Sequence, residues 1–437
     1  MDLKISARNV RAIAHADIDI SGITVLSGIN GCGKSTIARM TYDVLRTAVN
    51  FDSLVDFETE KSIAMLREDI RTALSCLSGV IAKPEYVKSA MDLRNESNGE
   101  AWIKSFISAL AAIPKELTER QRALVSKMHT ILQDAVGYGG KTLEPNRITD
   151  AIRSKLEKIS GDGDKKKAAR SVGTFQAYWK RRFGNGMGLS TDSFNIFEDF
   201  QPVLDAEHDS VSILNGVKEV FYIDTPMSLG ELYSEKHTNW RSLNFALQKK
   251  ATGAEFVYKG MRQDALLSGH SEWVEDGFQR NFEYERPDRQ ARYDLLECAT
   301  GLKSFAIIQM LYKTGVMGKD TLMLLDEPEA HLHPQWIPEY ARLVVFLNKM
   351  LGVKFLVASH SPDMIRAIKY ISEYEFKAEA EHLVKFYLAE PKDAYSFEFV
   401  PQGLDISKIF QAFNVSLDRI DEYSEDADVS ESGAENA

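Results

Sequence analysis

The chain has 437 residues, 44% of them hydrophobic and 27% charged, so it holds material for two or three domains and is not disordered throughout. No apolar run approaches the roughly 18–20 residues of a membrane span, and Met1–Lys4 lacks the basic-then-apolar layout of a secretory signal. Three widely spaced cysteines (Cys32, Cys76, Cys298) exclude a disulfide framework and a CxxC metal site, which leaves a soluble cytoplasmic protein as the expectation.

The net charge of −11 is unevenly placed. Residues 418–437 hold eight acids against Arg419 alone, a net −7, which leaves −4 for the rest. That tail has no apolar periodicity and reads as disordered. The nearly balanced body does not forbid nucleic-acid binding, which a local basic patch decides.

In chain order, the first 27 residues read as β structure. Asp17–Ile20 alternates with period two, and Ile23–Leu26 is a β-branched apolar run. From Ser35 to about Val49 the spacing turns helical, with Ile37, Met40, Val44 and Leu45 on one stripe. Residues 51–200 read as a mostly helical block, with helical segments near 60–80, 84–113, 115–136 and 148–159 and boundaries at Pro84, Pro114 and Pro145. Strand signals return after about 215, at Val220–Asp224, Phe256–Tyr258, Leu322–Asp326, Lys354–Ala358, Leu383–Leu388 and Tyr395–Val400. The expected fold class is therefore α/β, one sheet split in sequence by a helical insertion.

Gly28-Ile29-Asn30-Gly31-Cys32-Gly33-Lys34-Ser35 matches G-x-x-x-x-G-K-[ST] between a strand and a helix. In such a loop, glycines let successive N–H groups turn toward phosphate oxygens. Lys34 supplies a cation to the β and γ phosphates, Ser35 a hydroxyl to Mg²⁺, and the helix start adds its positive end. These eight residues and Thr36 are the candidate nucleotide-binding set. Cys32 reads as a small tolerated residue.

Thr321–Asp326 is a buried-strand run that ends in acids. Asp326 at its carboxyl end would hold Mg²⁺ beside the loop, and Glu327 would deprotonate the attacking water. Phe355–Ser359 is another apolar strand, and His360 after it is placed to hydrogen-bond a γ phosphate.

With these motifs the chain resembles ABC-superfamily ATPases of the SMC/RecF-like branch. It is also similar to ATPase subunits of bacterial phage-defence systems of the overcoming-lysogenization-defect (OLD-like) and Septu types. The resemblance covers roughly 1–50 and 215–415 and rests on Walker A (Gly28–Ser35), Walker B (Leu322–Asp326 with Glu327), Ala330-His331-Leu332-His333-Pro334 as the D-loop, His360, and the opening Asn9-Val10-Arg11. It implies a P-loop ABC-type head built from two lobes, at 1–50 and 215–415, with ATP and Mg²⁺ as cofactors. The signature motif has a degenerate match at Ala299–Ser304, where Thr300 and Gly301 would close on nucleotide held by a second protomer and Lys303 would add charge. Leu302 and Lys303 depart from the usual glycine and Gln or Glu. The Q-loop glutamine stays open among Gln133, Gln176 and Gln201. His331 and His333 read as D-loop residues and not as a metal pair, because further ligands are not evident nearby.

Within the helical block, Lys165, Lys166, Lys167, Arg170, Lys180, Arg181 and Arg182 are interleaved with Phe175, Tyr178, Trp179 and Phe183. Either this is a nucleic-acid contact, cations on phosphates and rings on bases, or a solvated helix face with its aromatics packed inward, or a protein-partner surface. The block is too short for an SMC coiled coil. About 77 residues follow His360, so a nuclease is expected only as a separate chain. The expected function is Mg²⁺-dependent ATP hydrolysis by a homodimer or higher assembly, coupled to DNA sensing or to a separate effector such as a nuclease, in phage defence or DNA repair. The alternatives are a transporter's nucleotide-binding subunit, which needs a membrane partner, and an ATP-binding clamp with negligible turnover.

Overall fold

The structure is a computed structural model that describes residues 2–81, 107–137, 144–183, 192–230, 238–252, 269–276, 279–286 and 291–412. The chain divides into two compact units, Met1–Val49 with Phe175–Ala437, and Asn50–Thr174. The described strands are β1 (Leu3–Val10), β2 (Ile13–Ile20), β3 (Ile23–Ser27), β4 (Phe194–Glu198), β5 (Gln201–Pro202), β6 (Leu204–Asp205), β7 (Ser210–Val211), β8 (Glu219–Ile223), β9 (His270–Asp276), β10 (Gln279–Arg286), β11 (Ala291–Asp294), β12 (Thr321–Asp326), β13 (Lys354–Ser359), β14 (Val384–Pro391) and β15 (Phe397–Gly403). The longer helices are α1 (Lys34–Val49), α2 (Phe51–Ser75), α3 (Glu119–Val136), α4 (Pro145–Ala169), α5 (Val172–Phe183), α6 (Thr238–Leu247), α7 (Thr300–Lys313), α8 (Ile337–Leu351) and α9 (Pro362–Phe376).

The first unit is built on a ten-stranded sheet of order β5-β4-β1-β2-β15-β14-β3-β13-β12-β8. Its two halves follow from their sequences. β14, β3, β13, β12 and β8 are parallel, and β3 and β12 are buried at every residue, as a sheet covered on both faces requires. β1, β2 and β4 are antiparallel, and β1 alternates buried and exposed positions. On one face of the parallel half, Val25, Phe221, Met323, Leu325, Phe355 and Val357 join a core with Trp240 of α6, Phe305 of α7 and Tyr340 of α8. α1 packs against β8, β12 and β13 with Ile37, Val44 and Leu45 buried.

The second unit is helical. Leu66, Ile70 and Leu74 of α2 recur every fourth residue and meet Met128 and Leu132 of α3 and Ile148 and Ile152 of α4. α3 starts in a capping box, the Thr118 hydroxyl accepting from Gln121 N at 3.3 Å and Gln121 Oε1 accepting from Thr118 N at 3.0 Å.

The split α/β architecture is thus observed, with different bounds. The helical unit ends at Thr174, not at 200, and Phe194–Glu198 is already a strand of the large sheet, paired with β1. Phe194, Ile196 and Glu198 alternate inward with a strand period, but a run of five residues is too short to mark β4 by pattern alone. The three-stranded sheet of β9, β10 and β11 was not expected either. The expected strand Phe256–Tyr258, most of the 84–113 segment and the acidic tail at 418–437 lie outside the described residues. Of the Q-loop candidates, Gln133 lies on α3, Gln176 on α5 and Gln201 on β5. Among the described residues no helix is long and apolar enough to cross a membrane.

Candidate active site

Strand register brings the site together. Ser27 of β3 pairs with Ser359 of β13, and Ala358 of β13 with Asp326 of β12. The carboxyl ends of three adjacent parallel strands therefore lie level, and from them issue the phosphate loop, His360 and the two acids. That edge is where open α/β sheets carry their ligands.

The loop from Gly28 to Gly33 connects β3 to α1. Gly33 has φ +105°, and a Cβ there would lie 2.5 Å from Ile13 Cγ1. Gly33→Ala is expected to add roughly 1–3 kcal/mol of backbone strain. It should weaken binding of a fluorescent ATP analogue, and unchanged affinity would show that the loop tolerates a side chain. Lys34 is buried, and its Nζ donates to Gly28 O at 2.8 Å and Ile29 O at 2.9 Å. Cys32 is fully buried with Sγ 3.8 Å from that ammonium. Burial pushes its thiol up and Lys34 opposes this, so it stays a neutral packing group.

Ser35 Oγ donates to Asp326 Oδ1 at 2.9 Å, joining residues 291 apart in sequence. The other carboxylate oxygen accepts from Tyr222 OH at 2.7 Å. Burial pushes the Asp326 carboxyl up, and the two hydroxyls pull it back toward the charged form. Burial, then the charge of Asp326, raise the Tyr222 phenol far above its ordinary value, so it remains a donor. Asp224, two residues on, accepts from Trp240 Nε1 at 2.6 Å, which anchors the end of β8 to α6.

Glu327 turns out of β12 in the left-handed region, φ +49° and ψ +51°, while its N–H donates to Ala358 O at 2.8 Å. His360 Nδ1 lies 3.2 Å from Glu327 Oε1, an ion-pair distance when the imidazole is protonated. Glu329 accepts at Oε1 from Ser359 Oγ at 2.6 Å and from the N–H groups of His360 and Ser361 at 3.2 Å each.

Thr300 and Gly301 open α7, where Ala299 provides no side-chain cap. A Cβ on Gly301 would meet His331 O at 2.9 Å, so the backbone at His331 lies against the start of this helix. Lys303 is buried with its ammonium donating to Leu296 O at 2.6 Å, which takes its charge to the preceding turn. Thr225 Oγ1 lies 3.5 Å from His331 Nε2, and His333 Nδ1 accepts from Gln335 N at 3.3 Å.

The basic segment is less available than its sequence suggests. Lys167 pairs with Asp56 at 2.8 Å, and Arg170 with Asp52 at 2.8 Å, all within the helical unit. Phe175 and Trp179 are buried and stacked on each other, centroids 6.2 Å apart, so neither ring can receive a base. Lys165, Lys166 and Lys180 are exposed, while the side chains of Arg181 and Arg182 lie outside the described residues.

Tyr222, Asp224 and Glu329 were not expected in the site. Glu329 stood inside the recognised acidic run, but nothing local named its partners. Tyr222 lies 104 residues before Asp326, and only the adjacency of β8 and β12 joins them.

Residues 213–366 match a known family. Its description is "AAA domain, putative AbiEii toxin, Type IV TA system", and the matched stretch holds Tyr222, Asp326, Glu327, Glu329 and His360 but not the phosphate loop. Similar solved structures include an Smc head bound to the C-winged helix domain of ScpA, with 12% identity, 93% of this chain and 98% of that chain covered, and a TM-score of 0.34. The SMC head domain of Thermotoga maritima gives 11% identity, 92% and 99% coverage and a TM-score of 0.34. An Smc head with an extended coiled coil bound to the C-terminal domain of ScpA, from Pyrococcus furiosus, gives 10%, 95% and 100%, and 0.32. No curated protein matches the chain.

Proposed function

We propose that the chain is a Mg²⁺-dependent ATPase that works as a homodimer and couples ATP hydrolysis to DNA sensing or to a separate effector such as a nuclease, in phage defence or DNA repair. The observation that supports the hydrolytic reading is the hydrogen bond from Ser35 to Asp326, which unites the phosphate loop with the acids of β12. A hydroxyl and a carboxylate are hard oxygen donors, and Mg²⁺ takes few protein ligands beside phosphates and water, so the donor set fits. Bound there, the ion would neutralise charge on the β and γ phosphate oxygens.

The chain's own groups account for the rest. Lys34 exchanges the carbonyls of Gly28 and Ile29 for phosphate oxygens, a stronger charge-assisted pairing. Glu327 accepts the proton of the attacking water, and His360 beside it meets the γ phosphate. The uncapped N–H groups at Thr300 and Gly301 suit the γ phosphate in the second protomer. Contact with nucleic acid rests on the exposed Lys165 and Lys166 of the helical unit.

Phosphate release from ATP is expected in the presence of Mg²⁺ and is expected to stop on adding EDTA. Nucleotide binding without release, with or without DNA, would leave only the clamp. No binding at all would end the proposal.

A further inference from the structure

We propose that Glu329 is a positioning residue for the switch histidine, holding the strand-to-helix turn at 359–361 so that the His360 imidazole stands against Glu327. The proposal rests on the ATPase reading of the same site. β13 ends at Ser359, and Ser361 is already the N-cap of α9, its side chain accepting from Met364 N at 3.3 Å. The intervening N–H groups have left the sheet ladder and need an acceptor. Glu329 Oε1 takes both of them, together with the Ser359 hydroxyl, and the Ser361 N–H is shared with Ser359 Oγ at 3.1 Å. One oxygen atom thus fixes three consecutive residues, and His360 is the middle one.

Two further observations set this apart from ordinary turn packing. Glu329 is only 7% exposed, and its Oε2 has no hydrogen-bond partner among the described residues. An acceptor taken out of water at this depth is costly to remove, because its three donors would then be left without it. His360 Nδ1 lies 3.9 Å from Glu329 Oε1 and 3.2 Å from Glu327 Oε1, so the turn that Glu329 holds sets the imidazole against both carboxylates. Burial raises the Glu329 carboxyl and the Ser359 hydrogen bond opposes that shift.

The test is a double-mutant cycle in the full chain. Glu329→Ala should lower kcat by roughly 10²-fold, the scale of a 1 Å misplacement, with KM for ATP little changed. On a His360→Ala background it should lower kcat no further, because it acts through that residue. Glu329→Gln, which keeps the acceptor, should recover most of the lost turnover. Ser359→Ala, a gentler change, should show a smaller loss that also vanishes without His360. Multiplicative losses in the cycle, or a raised KM at constant kcat, would overturn the proposal. If Glu327→Gln and His360→Ala both leave turnover unaltered, the ATPase reading fails instead. Glu329 is then judged by amide hydrogen exchange at His360, which should quicken in Glu329→Ala and not in Glu329→Gln. Equal exchange in both variants would refute the hold whatever the enzyme does.

Discussion

Glu327→Gln is expected to slow ATP turnover by about 10²–10⁴-fold, the range that a positioned general base supplies. The replacement is nearly isosteric, so the left-handed turn, the N–H bond to Ala358 O and the approach to His360 all survive. What goes is the capacity to take a proton from water. Binding should persist, because Lys34, Ser35 and Asp326 are untouched, and ATP should accumulate on a trapped dimer visible by light scattering. A variant that hydrolyses ATP like the parent protein would refute the assignment of the base.

Lys34→Ala is expected to lose roughly 10²–10³-fold in turnover, the effect of removing one preorganised donor from a developing charge. Unlike the previous variant it should also weaken ATP binding, so the fall should appear in kcat/KM and in nucleotide retention together. The reason lies in the geometry around Nζ. The ammonium is buried and held by the loop's own carbonyls at 2.8 and 2.9 Å. Its deletion removes the only cation among Gly28–Ser35, and with it the charge that would pair with phosphate oxygens. Isothermal titration with a non-hydrolysable analogue separates the outcomes. Full affinity in Lys34→Ala would mean that phosphates are not held at this loop.

Much of the site could be read from contiguous residues. The phosphate loop is a local object: its glycines, its lysine and the helix start are adjacent in the chain, and the turn they make depends little on the rest of the fold. The acidic end of β12 is similarly marked, because six buried residues followed by charges can hardly be anything but a strand reaching the sheet edge. The aromatic stretch was ambiguous for an equally physical reason. Phe175 and Trp179 at i and i+4 share one helix face, and that spacing serves a core as well as a stacking surface. Lys167 and Arg170 read as free cations because Asp56 and Asp52 lie more than a hundred residues earlier.

The sequence by itself determined a split α/β protein with a phosphate loop, an acidic strand end and a histidine after a buried strand, since each depends on short-range backbone geometry and apolar patterning. Only the tertiary structure decided how they combine. The order β3-β13-β12-β8 runs against chain order, and it is set by how strands buried on both faces pack. That order puts the Ser35 hydroxyl on one oxygen of Asp326 and the Tyr222 hydroxyl on the other, and it buries Glu329 beneath His360. A carboxylate's partners are chosen by what folding brings within 3 Å of it, and sequence distance carries no record of that choice.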